Sequence, residues 1–468
     1  MLSTGSLAQS AVHTQVLEYV KQNAAEYKAD AQMIWGFAEL GYHETKSSAL
    51  LQQELKKAGF DVQSGVAGEP TGFIASYGSG GPVIAILGEF DALPGLSQDA
   101  MSAERKPLLN GGAGHGCGHN LLGAGAALAA VAVKEYMQKN HIAGTLRYYG
   151  TPAEEGGAGK VYMMRAGLFR DVDIVLHWHP SDNNQVVNGG LLAVATARFT
   201  FHGVAAHAAA APERGRSALD AVLLMGTGLE YMREHVPSTT RIHYIVTKGG
   251  VAANIVPDLA QLEVVARSPQ GETLNEVWAR IDKVANGTAM MTETTVEEKV
   301  EGSATNILPN DALAALAQKN LEEVGGYTMT AEEKQFALGL QKSLPAGGAK
   351  PLENTQKIVP LSQAVFTPAS TDVGDISWNV PTIGFMGATF APGVAAHTWQ
   401  AAASAGTSIG QDGMMVATRA LALTAVDLLT TPQLVQAAKV DFAKQMSGKS
   451  YVSRIPADAK VPINYRDE

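Results

Sequence analysis

The one cysteine of this chain sits in Gly114-His115-Gly116-Cys117-Gly118-His119-Asn120, two residues before a histidine and enclosed by glycines. Glycine lets a backbone turn tightly and come close to whatever the neighbouring side chains hold. A thiolate and an imidazole on one tight loop make a soft pair of metal donors; the competing reading of the same residue is a buried free thiol. Glu154-Glu155, followed by Gly156-Gly157, is a second signal. Adjacent side chains point apart, so one carboxylate can hold a cation while its neighbour faces a substrate. Metal-assisted hydrolysis needs that division between an ion that acidifies water and a base that takes its proton. Taken alone, two glutamates more often mark a solvated turn. His177-Trp178-His179-Pro180 is the third signal. Alternate residues of a strand share a face, so either histidine can be a ligand, with the other behind it. His397, in Ala395-Ala396-His397-Thr398-Trp399, is the fourth. Cysteine, glutamate and three histidines give about five donors, enough for two cations roughly 3.5–4 Å apart that clamp a hydroxide and polarise a carbonyl.

Other hydrolytic constellations fail on spacing. His43-Glu44-Thr45-Lys46-Ser47 lacks the second histidine of a zinc-protease helix. The glycines around Cys117 have the wrong spacing for a dinucleotide fingerprint. Gly406-Thr407-Ser408-Ile409-Gly410 matches a serine-hydrolase elbow, but that fold needs a later histidine and none follows His397. Gly203-Val204-Ala205-Ala206-His207-Ala208, Asn254 and Arg267 suit a substrate carboxylate and a developing oxyanion. The plainer readings are a surface ion pair for Arg267 and a turn before Pro257 for Asn254.

Positioning these groups is the work of strand ends. Phe73 to Tyr77 and Val83 to Leu87 read as strands joined by a hairpin-type turn, Gly78-Ser79-Gly80-Gly81-Pro82. The second runs into Gly88-Glu89-Phe90-Asp91, and a carboxylate just past a buried strand lies where open α/β sheets build sites; a turn or helix cap is the alternative for Asp91. Thr145 to Tyr149 leads to Glu154-Glu155, and Ile174 to Trp178 to His179. Helices over Val12 to Phe37, Ser47 to Ala58 and Leu121 to Lys139 alternate with them, which predicts an α/β fold with a mixed, mainly parallel sheet flanked by helices. From Leu192 to Val300 the order becomes βαββαβ, a ferredoxin-like plan. The expected division is therefore a discontinuous catalytic domain, 1–190 and 306–468, with an inserted domain at 191–305. Gly325 to Ser362 reads as a mobile surface excursion, Val416 to Leu429 as the last core helix, and Ser447 to Glu468 as a polar, extended end.

A chain of 468 residues, 46% hydrophobic and 17% charged, fits a compact two-domain enzyme. A net charge of -10 disfavours nucleic acid and anionic membranes as partners. A single cysteine excludes an internal disulfide. Met1 to Ala11 lacks the basic start and long apolar run of an intact signal peptide, which favours the cytoplasm, with the periplasm open if a signal was trimmed.

Several of these stretches together resemble the M20 metallopeptidases, in their amidohydrolase branch: Gly88-Glu89-Phe90-Asp91-Ala92-Leu93, His115 to Gly123, Glu154-Glu155-Gly156-Gly157, Ala205-Ala206-His207-Ala208, Ser370-Thr371-Asp372-Val373-Gly374-Asp375 and His397-Thr398-Trp399-Gln400. The resemblance implies a hydrolase with a binuclear centre and an inserted lid domain that also dimerises. By that likeness Cys117, His119, Glu155, His179 and His397 hold two divalent ions, zinc or manganese, and Glu154 is the general base. His207, Asn254 and Arg267 fall where relatives bind the substrate carboxylate and the tetrahedral oxyanion, the histidine reaching into the partner subunit's site. The implied reaction is cleavage of an N-acyl amino acid. p-Aminobenzoyl-glutamate is the leading substrate, and another acyl amino acid or a dipeptide the runner-up. The implied assembly is a homodimer or a heterodimer with a paralogue, and a non-catalytic partner subunit is the competing class.

Overall fold

The structure is a computed structural model that describes residues 4–363 and 368–466. The first three residues of the stretch weighed as a signal peptide, and Asp467-Glu468 of the expected extended end, lie outside them. In chain order the strands are β1 (Asp61–Ser64), β2 (Phe73–Ser79), β3 (Val83–Glu89), β4 (Gly144–Thr151), β5 (Ile174–Ser181), β6 (Gln185–Val187), β7 (Ala193–His202), β8 (Arg241–Lys248), β9 (Leu259–Ser268), β10 (Thr295–Ala304) and β11 (Thr382–Ala388). The helices are α1 (Thr4–Phe37), α2 (Thr45–Lys57), α3 (His119–Asn140), α4 (Gly159–Arg165), α5 (Ala218–Arg233), α6 (Gly271–Thr292), α7 (Asp311–Val324), α8 (Ala331–Gln341), α9 (Val373–Ser377), α10 (Trp399–Ala405), α11 (Ser408–Thr430) and α12 (Pro432–Met446).

Seven strands form one sheet in the order β1-β2-β4-β3-β5-β11-β6. Its centre, β4-β3-β5-β11, is parallel, and the outer pairs are antiparallel. Every residue of β3 and β11 is buried, as expected where helices cover both faces of a parallel sheet. Side chains alternate across it. Ile84 and Ile86 join a core shared with α1, α3 and α11; Val83, Ala85 and Leu87 join a second core against Met163 of α4 and Ile376 of α9. Among the described residues α11 is the one helix long and apolar enough to cross a membrane, and it is buried in the first core.

The expected hairpin of β2 and β3 does not form, because β4 lies between them. The four chain steps from Ser79 to Val83 reach up to ~14 Å, beyond two strand spacings of about 4.8 Å. The turn therefore has room to straddle a strand, and the crossover through α3 delivers β4 there. Gly325 to Ser362 is also more ordered than expected. A capping box of Thr330 and Glu333 starts α8, and Ala337, Leu340 and Thr355 are buried.

The four remaining strands form an antiparallel sheet, β10-β7-β9-β8. β7 and β9 alternate buried with half-buried residues, the mark of a sheet with one covered face. Its own core, with Phe199, Phe201, Leu262 and Trp278, packs beneath α5 and α6. The resulting order is that of a ferredoxin-like unit.

Candidate metal centre

The centre assembles at the carboxyl ends of β3, β4 and β5, where the loops of an α/β sheet leave its interior. Gly118 turns the chain into α3 with φ 76°, a left-handed conformation that favours glycine. A Cβ there would also lie 2.8 Å from Pro180. The turn seats Cys117 and His119 against the end of β5: Cys117 Sγ is 3.4 Å from His179 Nε2, and the rings of His119 and His179 meet edge to face at 5.6 Å.

Three groups of donor atoms each lie within 4.8 Å of one another: Cys117, His119 and His179; Cys117, Glu155 and His397; and Glu89, His119 and Glu154. Cys117 thus belongs to two groups and joins them. Glu155 Oε1 lies 3.1 Å from His397 Nε2. His397 adopts φ 62°, a left-handed conformation costing about 1–2 kcal/mol in a residue with a side chain. Its amide donates to the Gly116 carbonyl at 2.8 Å, which ties this late loop to the cysteine loop. His177 shares the strand face of His179 but lies outside all three groups. It is pressed against β11, where a Cβ on Gly384 would fall 2.2 Å from its ring. Burial lowers its pKa to about 4 and keeps it neutral.

Asp91 orders the centre. One carboxylate oxygen lies 2.9 Å from His119 Nδ1, and the other accepts the Glu155 amide at 2.9 Å. An anchored Nδ1 leaves Nε2 of His119 to face the donors, the usual role of a carboxylate behind a ligand histidine. Behind Glu89 lies Lys160, fully buried, with Nζ 2.7 Å from both Glu89 and Asp372. Against the cost of burial, the Lys160 ammonium holds the Glu89 carboxyl down to about 2. Glu154 makes no ion pair among the described residues, and Lys160 lowers its pKa only weakly. Burial, and then the carboxylates of Glu89 and Glu155, push its pKa well above the ordinary range. Burial and Glu155 likewise push up the Cys117 thiol.

These groups fit a bound cation. His119 Nε2 and Glu155 Oε1 are buried without a well-formed hydrogen bond, facing Glu89 at 3.2 Å and His397 at 3.1 Å, an arrangement that is costly unless a cation satisfies it. The donor set of thiol, imidazole and carboxylate suits a borderline-soft divalent ion, and a nearby positive charge would offset what burial does to Cys117 and Glu154.

His207, Asn254 and Arg267 stand apart, on the four-stranded unit. His207 and Asn254 are exposed, joined to each other through the Ala208 amide on the Asn254 carbonyl. The amides of Ala209 and Ala210 donate to His207 Nδ1 at 3.2 and 3.1 Å, so the ring proton is assigned to Nε2. Arg267 bonds Ser370 Oγ at 2.9 Å, and no carboxylate pairs with it among the described residues. Glu89, Lys160 and Asp372 are the site groups that residue chemistry alone did not single out. No local signal marks them: Lys160 opens an ordinary helical run, Lys160-Val161-Tyr162-Met163-Met164, and meets Glu89 and Asp372 only through the fold.

The sheet with thiol, imidazole and carboxylate donors at its strand ends, and the ferredoxin-like unit inserted beside them, define a hydrolytic enzyme of two units. The chain belongs to peptidase family M20/M25/M40, which it matches over residues 85–342. It is 38% identical to one of the subunits of the p-aminobenzoyl-glutamate hydrolase of Escherichia coli (strain K12), over 93% of this chain and 96% of that protein. It is 30% identical to the Xaa-Arg dipeptidase of Mus musculus, over 91% and 93% of the two chains. Its fold is similar to the crystal structure of the aminobenzoyl-glutamate utilization protein from Klebsiella pneumoniae, with a TM-score of 0.61 at 20% identity, covering 88% of this chain and 98% of that one.

Proposed function

We propose that this protein is a metal-dependent amidohydrolase that cleaves the amide of an N-acyl amino acid, with p-aminobenzoyl-glutamate the leading substrate. The observation that carries this reading is the convergence of Cys117, His119, Glu155, His179 and His397 beside Glu154. The relative at 38% identity supports the choice of substrate. Cys117, shared by two donor groups, supports two cations, each zinc or manganese by its donors. Divalent ions bound there would supply Lewis acidity to water and to the substrate carbonyl.

The chain's own residues do the rest. Glu154, grouped with Glu89 and His119 beside the other donors, takes a proton from the attacking water and returns it to the leaving amine. Arg267, which pairs with no carboxylate among the described residues and bonds Ser370 Oγ, receives the substrate carboxylate. The Nε2 proton of His207 is free to donate to the developing oxyanion. His207 is exposed on the inserted unit, which supports a closing lid or a partner subunit as the route by which it reaches a site. The relative is itself named as a subunit, which supports an assembly of two chains, a homodimer or a pair with a paralogue.

The test is a hydrolysis screen of acyl-glutamates, other acyl amino acids and dipeptides after reconstitution with manganese or zinc. Preferred release of p-aminobenzoate is expected. A second reading, dipeptidase, has support in the 30%-identical relative and is favoured if Xaa-Arg dipeptides are cleaved faster. A purified chain that binds metal yet cleaves nothing identifies a non-catalytic subunit instead.

A further inference from the structure

Residues 153–158, the loop that carries both glutamates, hold a backbone that its own sequence does not favour. Ala153, Gly156 and Ala158 all have positive φ, at 54°, 104° and 55°, and alanine gains nothing locally from a left-handed conformation. Such a loop persists only where its surroundings over-determine it. Glu44 accepts the Ala153 amide at 2.9 Å, Asp91 accepts the Glu155 amide, and Tyr42 Oη donates to the Gly157 carbonyl at 2.7 Å. The carbonyl of Glu155 itself is held from a distant part of the chain. Tyr465 Oη donates to it at 3.1 Å, and the Arg466 guanidinium donates to the same oxygen.

The segment that delivers these two residues is anchored on the way. Tyr451 Oη donates to Asp375 at 2.7 Å, and Ile455 is buried against Val161 and Tyr162 of α4. The Tyr465 ring meets Tyr42 edge to face at 6.0 Å. A Cβ on Gly41 would fall 2.4 Å from Tyr465 Oη, so the hydroxyl fills a space that only glycine leaves open. The segment from Tyr451 to Arg466 is therefore fitted to this loop, not laid over a surface.

We propose that Tyr465 and Arg466 are positioning residues that set the Glu154–Glu155 loop through the Glu155 carbonyl. This rests on the reading of Glu154 as base and Glu155 as cation ligand. Displacing the loop backbone at the held Glu155 carbonyl shifts the Cα atoms of Glu155 and its neighbour Glu154, and with them both carboxylates, so the two residues tune cation affinity and turnover without touching substrate.

The test uses the full-length variants Tyr465→Phe, Arg466→Ala and their combination, each required to keep the parental melting temperature. Backbone exchange of residues 153–158 is measured by hydrogen–deuterium mass spectrometry, cation affinity by titration of the metal-free protein, and kcat and KM separately. Losing an outer support of a ligand is expected to weaken cation binding about tenfold and lower kcat with KM unchanged, with faster exchange confined to the loop. Loop exchange equal to the parent in the double variant overturns the proposal. If the parent binds no cation, the metal-dependent reading of function fails, while the exchange comparison still decides whether these residues hold the loop.

Discussion

The sheet-end crevice and the inserted four-stranded unit solve opposite problems. In the crevice, His119, Glu89, Lys160 and Asp372 are buried and locked by mutual ion pairs and hydrogen bonds. On the inserted unit, His207 and Asn254 stand in solvent, and half-buried Arg267 bonds a serine hydroxyl and pairs with no carboxylate among the described residues. Buried charges must be paired where they stand, so the crevice is set before any ligand arrives. Exposed groups keep full hydration and contribute little until they are desolvated. On the proposed function, the contrast is between a preorganised reaction centre and a recognition surface that becomes effective on closure or assembly, and each variant below attacks one side of it.

The largest effect belongs to the crevice. Glu154→Gln keeps the shape of the side chain and removes its basicity, so kcat should fall about 10²- to 10⁴-fold while the protein still binds divalent cations. Steady-state kinetics alongside metal analysis checks both; activity close to the parent's would remove Glu154 as the base.

His207 divides the comparison more finely. His207→Ala should lower kcat about a hundredfold by removing an oxyanion donor, and mixing it with Glu154→Gln asks which subunit supplies the donor. If His207 serves the partner subunit's site, each mixed dimer gains one site with both groups intact. Free subunit exchange then restores activity in about a quarter of all sites. If His207 serves its own subunit, mixing restores nothing, and the inserted unit acts as a lid over its own crevice.

Arg267→Ala should raise KM about 10- to 100-fold, the worth of a charge-assisted bond, with a smaller change in kcat and none in cation affinity. An unchanged KM for a carboxylate-bearing substrate would take Arg267 out of recognition and leave it as a tether to Ser370.

Much of this division was legible in the sequence, because each half announces itself in a different way. The ferredoxin-like unit folds on local periodicity and its own core, so its element order was readable from Leu192 to Val300. The donors were readable from rare residue types near glycine: one cysteine, two glutamates, and a histidine before proline. What stayed hidden depends on pairing across the chain. β4 slips between β2 and β3, which no local signal near Gly78 to Pro82 reports. Lys160 looks like an ordinary helix residue until Glu89 and Asp372, far away in sequence, close around it. Asp91 looks like a cap until His119 and the Glu155 amide are seen on its two oxygens.

The smallest effect sharpens the comparison from within the crevice's own half. Asp30, on α1, is as buried as the site carboxylates, but one of its oxygens has no hydrogen-bond partner. Burial, and then Glu54 and Glu26, raise its pKa to about 7. An acid whose pKa is higher folded than unfolded binds more protons in the folded state. Stability therefore falls as pH rises from the unfolded value of 3.8 to about 7, and is flat above that. Each pH unit in that window costs at most about 1.4 kcal/mol. Asp30→Asn mimics the protonated acid, so its melting temperature should exceed the parent's above pH 7 and converge with it below pH 4. Burial raises the Asp372 pKa as well, with the Lys160 ammonium opposing that shift, so Asp372→Asn is read near neutral pH, where its melting temperature should fall below the parent's. That change leaves the Lys160 ammonium short of one of its two carboxylates, and breaking a buried pair costs about 3–5 kcal/mol. If both asparagine variants shift alike, the ion pairs around Lys160 are not what keeps the crevice's charges buried, and the contrast between its two kinds of carboxylate is lost.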